Sequence, residues 1–267
     1  MSADTEPSGA AIPPSIALAW GLRDRPRRGP RPGLSLERIV AAGIKVALTE
    51  GLGAVSMARV AAELGVGTMS LYRYVAAKDD LLALMVDTAI GPPPSPGDAA
   101  DDDWRAALTR WAAALRAAHQ RNVWTLRVPI SSPPLGPNNV AWLEAGLRAL
   151  ASTSLSEADK AYTGLLLSQF VRSEVILGAD VAAASTGGPS AFSYGELLGS
   201  LADPLRFPAI HRAIVGGAFE DDGDPNAYFT YGLGRILDGV EKLARSSPGR
   251  ASPRQDATSG SRRRRAG

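Results

Sequence analysis

Cysteine is absent from the 267 residues, and histidine occurs only twice, at His119 and His211. Without thiols there is no disulfide framework, no thiolate-held zinc or iron–sulfur centre and no cysteine nucleophile. The two histidines lie far apart with no ligand spacing around either, so no metal and no cofactor are expected. Long apolar runs are missing as well: nothing approaches the ~18 uninterrupted apolar residues of a membrane span. The chain opens Met-Ser-Ala-Asp-Thr-Glu-Pro, which lacks the charged-then-apolar order of a secretory leader, so a cytoplasmic location is the expectation. No segment alternates as a strand does, and no internal repeat is found. A nucleophile–base pair, a paired-carboxylate site and a glycine-rich phosphate loop are all missing. The Gly232-Leu-Gly234 pair lacks the third glycine and the preceding strand of a dinucleotide site. No catalytic residue is nominated, and the protein is not expected to be an enzyme.

Lysine is scarce too, with 4 against 25 arginines, beside heavy use of alanine, glycine and proline. That is the composition of a GC-rich coding sequence and carries no chemistry. What remains is ordinary for a soluble chain: 45% hydrophobic and 21% charged residues, enough to bury a core unaided. The net charge of +2 conceals a division. Residues 23–78 carry ten basic and four acidic side chains, whereas residues 91–247 carry thirteen and seventeen. Residues 248–267 return to six against one. A basic N-terminal third on a mildly acidic body suits a polyanion partner for that third alone.

Helical periodicity organises the chain. Residues 1–33 are interrupted by proline and glycine and read as a flexible basic arm, with at most a short turn at Ile16-Ala-Leu-Ala-Trp20. Residues 34–90 hold four short helices, near 35–50, 56–64, 68–74 and 78–90, with Ser35 and Ser56 as N-caps. The run Gly91-Pro-Pro-Pro-Ser-Pro-Gly97 closes this unit. Residues 98–246 continue as helices, near 101–122 (with a possible extension to Ile130), 138–151, 156–184, short pieces over 193–216, and 225–245. The inward face expected of the 138–151 helix is Val140, Leu143, Leu147 and Leu150. Residues 247–267, ending Arg262–Arg265, read as a disordered basic tail.

The chemistry sits in Ser56-Met-Ala-Arg-Val-Ala-Ala-Glu-Leu-Gly-Val-Gly-Thr-Met-Ser-Leu-Tyr-Arg-Tyr74. Ala61 and Ala62 are small where two helices must cross, Gly65 suits a left-handed turn, and Val66 plugs the angle between the helices. This is the pattern of a helix-turn-helix. Its second helix turns Thr68, Met69, Ser70, Tyr72 and Arg73 outward. Short hydroxyls reach base edges and a methionine reaches thymine methyls, while Tyr72, Tyr74 and Lys78 have the reach for phosphates. Each also has a plainer reading: either tyrosine could pack against the next helix, Lys78 could be a solvated charge, and Arg27, Arg28 and Arg31 a solubilising tail. Their joint placement around one turn favours DNA.

Residues 35–82 resemble the DNA-binding domain of the TetR family of transcriptional regulators, through Ile39-Val-Ala-Ala-Gly, Ser56-Met-Ala-Arg-Val-Ala-Ala-Glu-Leu-Gly-Val, Ser70-Leu-Tyr-Arg-Tyr-Val and Lys78-Asp-Asp-Leu-Leu. The rest most resembles the tetracycline-repressor-like subgroup, through helix order and Trp104-Arg-Ala-Ala-Leu. The resemblance implies an all-α protein: a three-helix helix-turn-helix DNA-binding domain, joined through a fourth helix to a helical ligand-binding and dimerisation domain. By position, Thr68, Met69 and Ser70 would face bases, and Ser56, Tyr72, Tyr74 and Lys78 would hold the backbone. Met69 departs from the Pro or Ala that several relatives place there. Arg27, Arg28 and Arg31 would enter the minor groove.

The expected function is a repressor that binds a palindromic operator as a homodimer and is released by a small, largely apolar effector. A constitutive DNA-binding protein and a helical enzyme are the alternatives. The seam is expected along 156–184 (Leu165, Leu166, Phe170, Ile176) and 225–245 (Tyr228, Leu233, Ile236, Leu237, Val240), where Gly232, Gly234 and Gly239 would let backbones approach. Effector candidates are Trp111, Trp124, Trp142 and Phe170 for a flat apolar body, with His119, Gln169, Arg172 and Glu174 for its polar groups.

Overall fold

The computed structural model describes residues 12–22, 34–95, 103–131, 133–185, 194–220 and 223–246. Regular structure among them is entirely helical. Arg27, Arg28, Arg31 and the Arg262–Arg265 tail lie outside the described residues.

The N-terminal unit begins where its caps predict. Ser35 is extended and its hydroxyl accepts from the Arg38 N–H at 3.3 Å, opening helix α2, Leu36–Glu50. Ser56 does the same for the Arg59 N–H at 3.1 Å and opens α3, Met57–Leu64. Each cap satisfies a donor that a helix start leaves free. Gly65 then adopts φ 67°, and the N–H groups of Gly65 and Val66 return to the Ala62 and Ala61 carbonyls. That left-handed conformation is cheap only for glycine. One turn of helix follows as α4, Thr68–Leu71. The sequence predicts a helix to Tyr74; instead the N–H groups of Tyr74 and Val75 both return to the Leu71 carbonyl. The chain leaves the helical path so that Leu71, Tyr74 and Val75 all reach the core. α5, Lys78–Ile90, completes the unit. Its core is tight: Ile39, Val46, Val55, Val60, Leu71, Val75, Leu81 and Met85 are inaccessible to solvent.

One element departs from the expectation of an arm over 1–33. Pro14–Ala19 forms a short helix, α1, with Pro at its first turn. Ile16, Leu18 and Ala19 pack on the N-terminal core, and the Trp20 indole N–H donates to the Leu135 carbonyl at 2.8 Å. Six residues do not sustain a helix alone; docking of this apolar face supplies what propensity cannot.

A second core joins α6, Trp104–Arg121, α7, Pro137–Ala149, α8, Glu157–Ser185, and α11, Ala227–Ser246. Leu108, Trp111, Leu115, Leu150, Leu167, Val171, Phe229, Leu233 and Leu237 meet there. After α6 the chain tightens into a 3-10 turn over Val123–Arg127 rather than continuing helical to Ile130. α7 turns Trp142 and Gly146 inward, not Leu143, which is 51% exposed. The cause is the Trp142 indole, which donates to the Gly91 carbonyl at 2.9 Å while its own backbone carbonyl accepts from the Trp111 indole at 3.0 Å. α9, Tyr194–Leu201, and α10, Pro208–Val215, pack on one another and leave Leu201, Leu205 and Val215 exposed.

The two cores are stitched at Asp87. This α5 residue is only 4% exposed. Its carboxylate accepts the backbone N–H groups of Asn138 at 3.3 Å and Asn139 at 2.8 Å, and both side-chain amides. A residue of the first unit thus caps the first turn of α7, which has no side-chain cap of its own.

Candidate nucleic-acid interface and effector cavity

The outward face of α4 and its following turn is polar and open. Met69 is 76% exposed and Tyr72 44%; Thr68 and Ser70 are half-buried beside them. Lys78, at the start of α5, is exposed and makes no ion pair among the described residues. Arg73, which sequence reasoning placed outward but left out of the site, is exposed and unpaired in the same way. Ser56 is half-buried, with its hydroxyl oxygen engaged as the α3 cap. Tyr74 does not join this face: its ring is buried and its hydroxyl donates to the Leu34 carbonyl at 2.7 Å. Tyr74 is thus a core residue, tied to the segment that precedes α2 rather than offered to phosphates.

Lys45 and Arg59 of this unit are occupied instead. Arg59 bridges Glu50 at 2.5 Å and Glu63 at 2.9 Å, and Lys45 meets Glu63 at 2.6 Å. The hydrogen bond from Arg59 holds the Glu50 carboxyl below its usual range. Those from Lys45 and then Arg59 do the same for Glu63. This cluster ties α2 to α3 and leaves Lys45 and Arg59 committed within the protein.

The second site is a cavity of about 490 Å³, within the size range of small-molecule pockets. Pro13 and Ile16 of the N-terminal segment and Ala83, Leu84 and Val86 of α5 form one side. Trp111, Leu115 and His119 of α6, Trp142, Leu143 and Leu147 of α7, and Leu165, Gln169 and Arg172 of α8 form the others. The cavity is therefore shared between the two cores. Trp111 and Trp142 meet edge to face, with centroids 6.1 Å apart. Of the predicted effector residues, Trp111, His119, Trp142, Gln169 and Arg172 come together here.

Three do not. Trp124 packs against the N-terminal core. Phe170 stacks on Phe229 at 5.9 Å. Glu174 is 9% exposed and receives both Arg116 Nε and Nη2, at 2.8 and 2.7 Å. Helical rotation explains the split: residues 165, 169 and 172 share one face of α8, whereas 170 and 174 share another. Leu143, Leu147 and Ile130 also line the cavity. Sequence reasoning assigned the first two to the core, because a cavity wall and a core wall carry the same apolar period.

His119 is nine-tenths and more buried, with Nδ1 lacking a hydrogen-bond partner among the described residues. Burial first, and the Arg172 charge beside it second, push its pKa down to about 4, so the ring is neutral near pH 7. Burial also lowers the Arg172 guanidinium from its ordinary value.

Two short helices joined by a left-handed glycine, with an open polar face, stand on a helical body that holds an apolar cavity. Together they are the features of a helix-turn-helix regulator. The model of "Bacterial regulatory proteins, tetR family" matches residues 39–85, and that of "Tetracyclin repressor-like, C-terminal domain" matches residues 95–244. The chain belongs to the TetR family. It is 37% identical over 257 residues to the HTH-type transcriptional repressor DrrR1 of Streptomyces coeruleorubidus, covering 93% of each chain. It is 28% identical over 239 residues to the HTH-type transcriptional repressor Rv1353c of Mycobacterium tuberculosis, covering 85% of this chain and 87% of the relative. Among solved structures, apo ActR of Streptomyces coelicolor superposes with a TM-score of 0.66 at 27% identity, over 83% of this chain and all of the other. ActR in complex with actinorhodin gives 0.66 at 28% identity, over 79% and 99%. The family is one of transcriptional regulators and not of enzymes, as the sequence predicts. Among the described residues no helix is long and apolar enough to cross a membrane.

Proposed function

We propose that the protein is a cytoplasmic repressor that binds a palindromic operator as a homodimer and lets go when an apolar small molecule fills the cavity. The observation that carries this reading is the shared cavity, whose walls come from α1 and α5 on one side and α6–α8 on the other. A ligand there touches the unit that holds the reading helix and the body that spaces it. Linkage then requires that a ligand preferring one spacing weakens DNA affinity by its differential free energy, typically about 1–3 kcal/mol. α5 is the lever, clamped to α7 through Asp87. A relative that crystallises with actinorhodin and another named as a repressor support effector binding and repression.

Thr68, Met69 and Ser70 would read base edges, with Ser56, Tyr72, Arg73 and Lys78 on phosphates. Dimerisation would use α8, whose Tyr162, Leu166, Leu177 and Val181 are all more than half exposed. It would also use the outer side of α11, with Tyr228 and Tyr231. The inner side of α11 is taken: Leu233, Leu237 and Val240 are buried in the same chain's core. Gly232 belongs there too, since a Cβ would fall 2.5 Å from the Phe170 ring. Arg27, Arg28 and Arg31 would reach the adjacent minor groove. Replacing all three with Gln should lower the salt slope of operator binding by up to about 3, at ~0.9 for each phosphate no longer neutralised.

The deciding experiment is selection of duplexes from a random pool, followed by gel shift of the winner. An inverted repeat with half-sites about one helical turn apart is expected. Recovery of no common sequence at moderate salt would remove the reading.

A further inference from the structure

The cavity's polar groups are unequal in a way that specifies its ligand. Arg172 lines the cavity half-buried, yet makes no ion pair and no side-chain hydrogen bond among the described residues. The nearest acid along α8, Glu174, sits two residues on, turned to another face and held by Arg116 at 2.7 Å. The cavity's own acids, Asp79 and Asp80, stand at the opposite end of α5 from Ala89, whose carbonyl meets Asn122 at the close of α6. Asp80 and Ala89 are nine positions apart, ~14 Å along the axis at ~1.5 Å per residue. One turn before Asn122, His119 carries its unpartnered Nδ1. A partly desolvated, unpaired guanidinium and an orphaned ring nitrogen are both costly unless something completes them.

We propose that the cavity is built for an aromatic acid. Its flat fused-ring body would lie against Trp111, Trp142 and Leu147, its carboxylate would pair with Arg172, and a ring hydroxyl or carbonyl would meet His119. Arg172 presents a fork of donors that matches a carboxylate in two bonds. His119 is uncharged, so it accepts or donates a hydrogen bond without adding a second cation. The apolar remainder of the wall excludes water from the pair, which strengthens it. This inference rests on the effector reading above and narrows it from an apolar molecule to an anionic one.

The test compares anthraquinone-2-carboxylate with anthraquinone-2-carboxamide, titrated into the full-length protein by quenching of tryptophan emission and scored again by release of the selected operator. The acid should bind the wild type at least about tenfold more tightly than the amide, the worth of one charged hydrogen bond. Arg172→Gln should erase that preference, weakening the acid far more than the amide, while the melting curve stays near wild type. Arg172→Lys, which keeps the charge, should restore part of it. His119→Gln should weaken both compounds alike. Equal binding of acid and amide to the wild type, with operator release by both, would overturn the acid proposal and leave the effector reading standing. Tight binding of both without operator release would overturn the effector reading instead. An acid preference that survives Arg172→Gln would place the anion elsewhere and overturn the assignment.

Discussion

Between residues 34 and 95, three large apolar side chains are exposed: Leu48, Met69 and Tyr72. Across the described residues from 103 to 246 there are seventeen, on little more than twice the length. The reading unit is finished as a single chain, and what it leaves outside is mostly what would touch DNA. The body is unfinished in two ways. It encloses a cavity in which Arg172 and the Nδ1 of His119 lack partners among the described residues, and it carries apolar side chains along α8 and α11 that are more than half exposed. A module that only has to hold a shape can close its core. A module that recognises a second copy and a small molecule, as proposed for this body, would keep surface in reserve and lose some stability for doing so.

The sharpest way to break this contrast is at the uncovered stripe. Tyr162→Ser with Leu166→Glu should turn a dimer into a monomer in sedimentation velocity. Operator affinity should fall by roughly 100-fold or more as the second half-site is lost to avidity. The melting temperature should lose its dependence on protein concentration, since association no longer stabilises the native state, while the monomer keeps its fold because neither side chain is buried within the chain.

Next come the two kinds of wall. Leu71→Ala removes a fully buried side chain of the reading unit and should cost about 2–5 kcal/mol in denaturant unfolding. Leu143→Ala, on the cavity, should stay within about 0.5 kcal/mol of wild type while changing effector affinity. Asp87→Ala should cost about 1–3 kcal/mol, since it strands the N–H groups of Asn138 and Asn139. It should also blunt effector-driven release of the operator, because it cuts the stitch between the units.

The most gradual effect is the pH response of His119. Its folded pKa, about 4, lies below the ordinary 6.5. The unfolded state therefore takes up a proton first as pH falls. The stability that the neutral ring contributes is whole above pH 6.5 and drains away between 6.5 and about 4. His119→Gln should flatten that part of the stability profile, by at most about 1.4 kcal/mol per pH unit, as read by melting curves across the window.

Legibility in the sequence follows the same boundary. Ser35, Ser56 and Gly65 act locally, through caps and a turn whose chemistry is written in two or three neighbours, so α2, α3 and the turn stand where the sequence predicts them. Tyr74 is ambiguous in one dimension because an exposed and a buried tyrosine look identical there; the Leu34 carbonyl that captures its hydroxyl is forty positions away. In the body, Trp111 and Trp142 stand out by size, but Leu143 and Leu147 share the period of core residues. Only the helix rotation set by the Trp142 hydrogen bond decides that they face a void. Phe170 and Glu174 fall on the other side of α8 from the one expected for a related reason: its apolar residues are spread around its whole circumference, so no single stripe can be read. α1 escapes because its helicity is borrowed from a surface that the local sequence does not contain.

That borrowed helix changes how the molecule should be handled. Pro13 and Ile16 are part of the cavity wall, and Trp20 is bolted to the body beyond it. A recombinant version trimmed back to the start of α2, or fitted with an affinity tag threaded against residue 13, would still carry the helices α2 to α5. Its sensor would be missing a panel, and any dose–response curve measured on it would describe a different receptor.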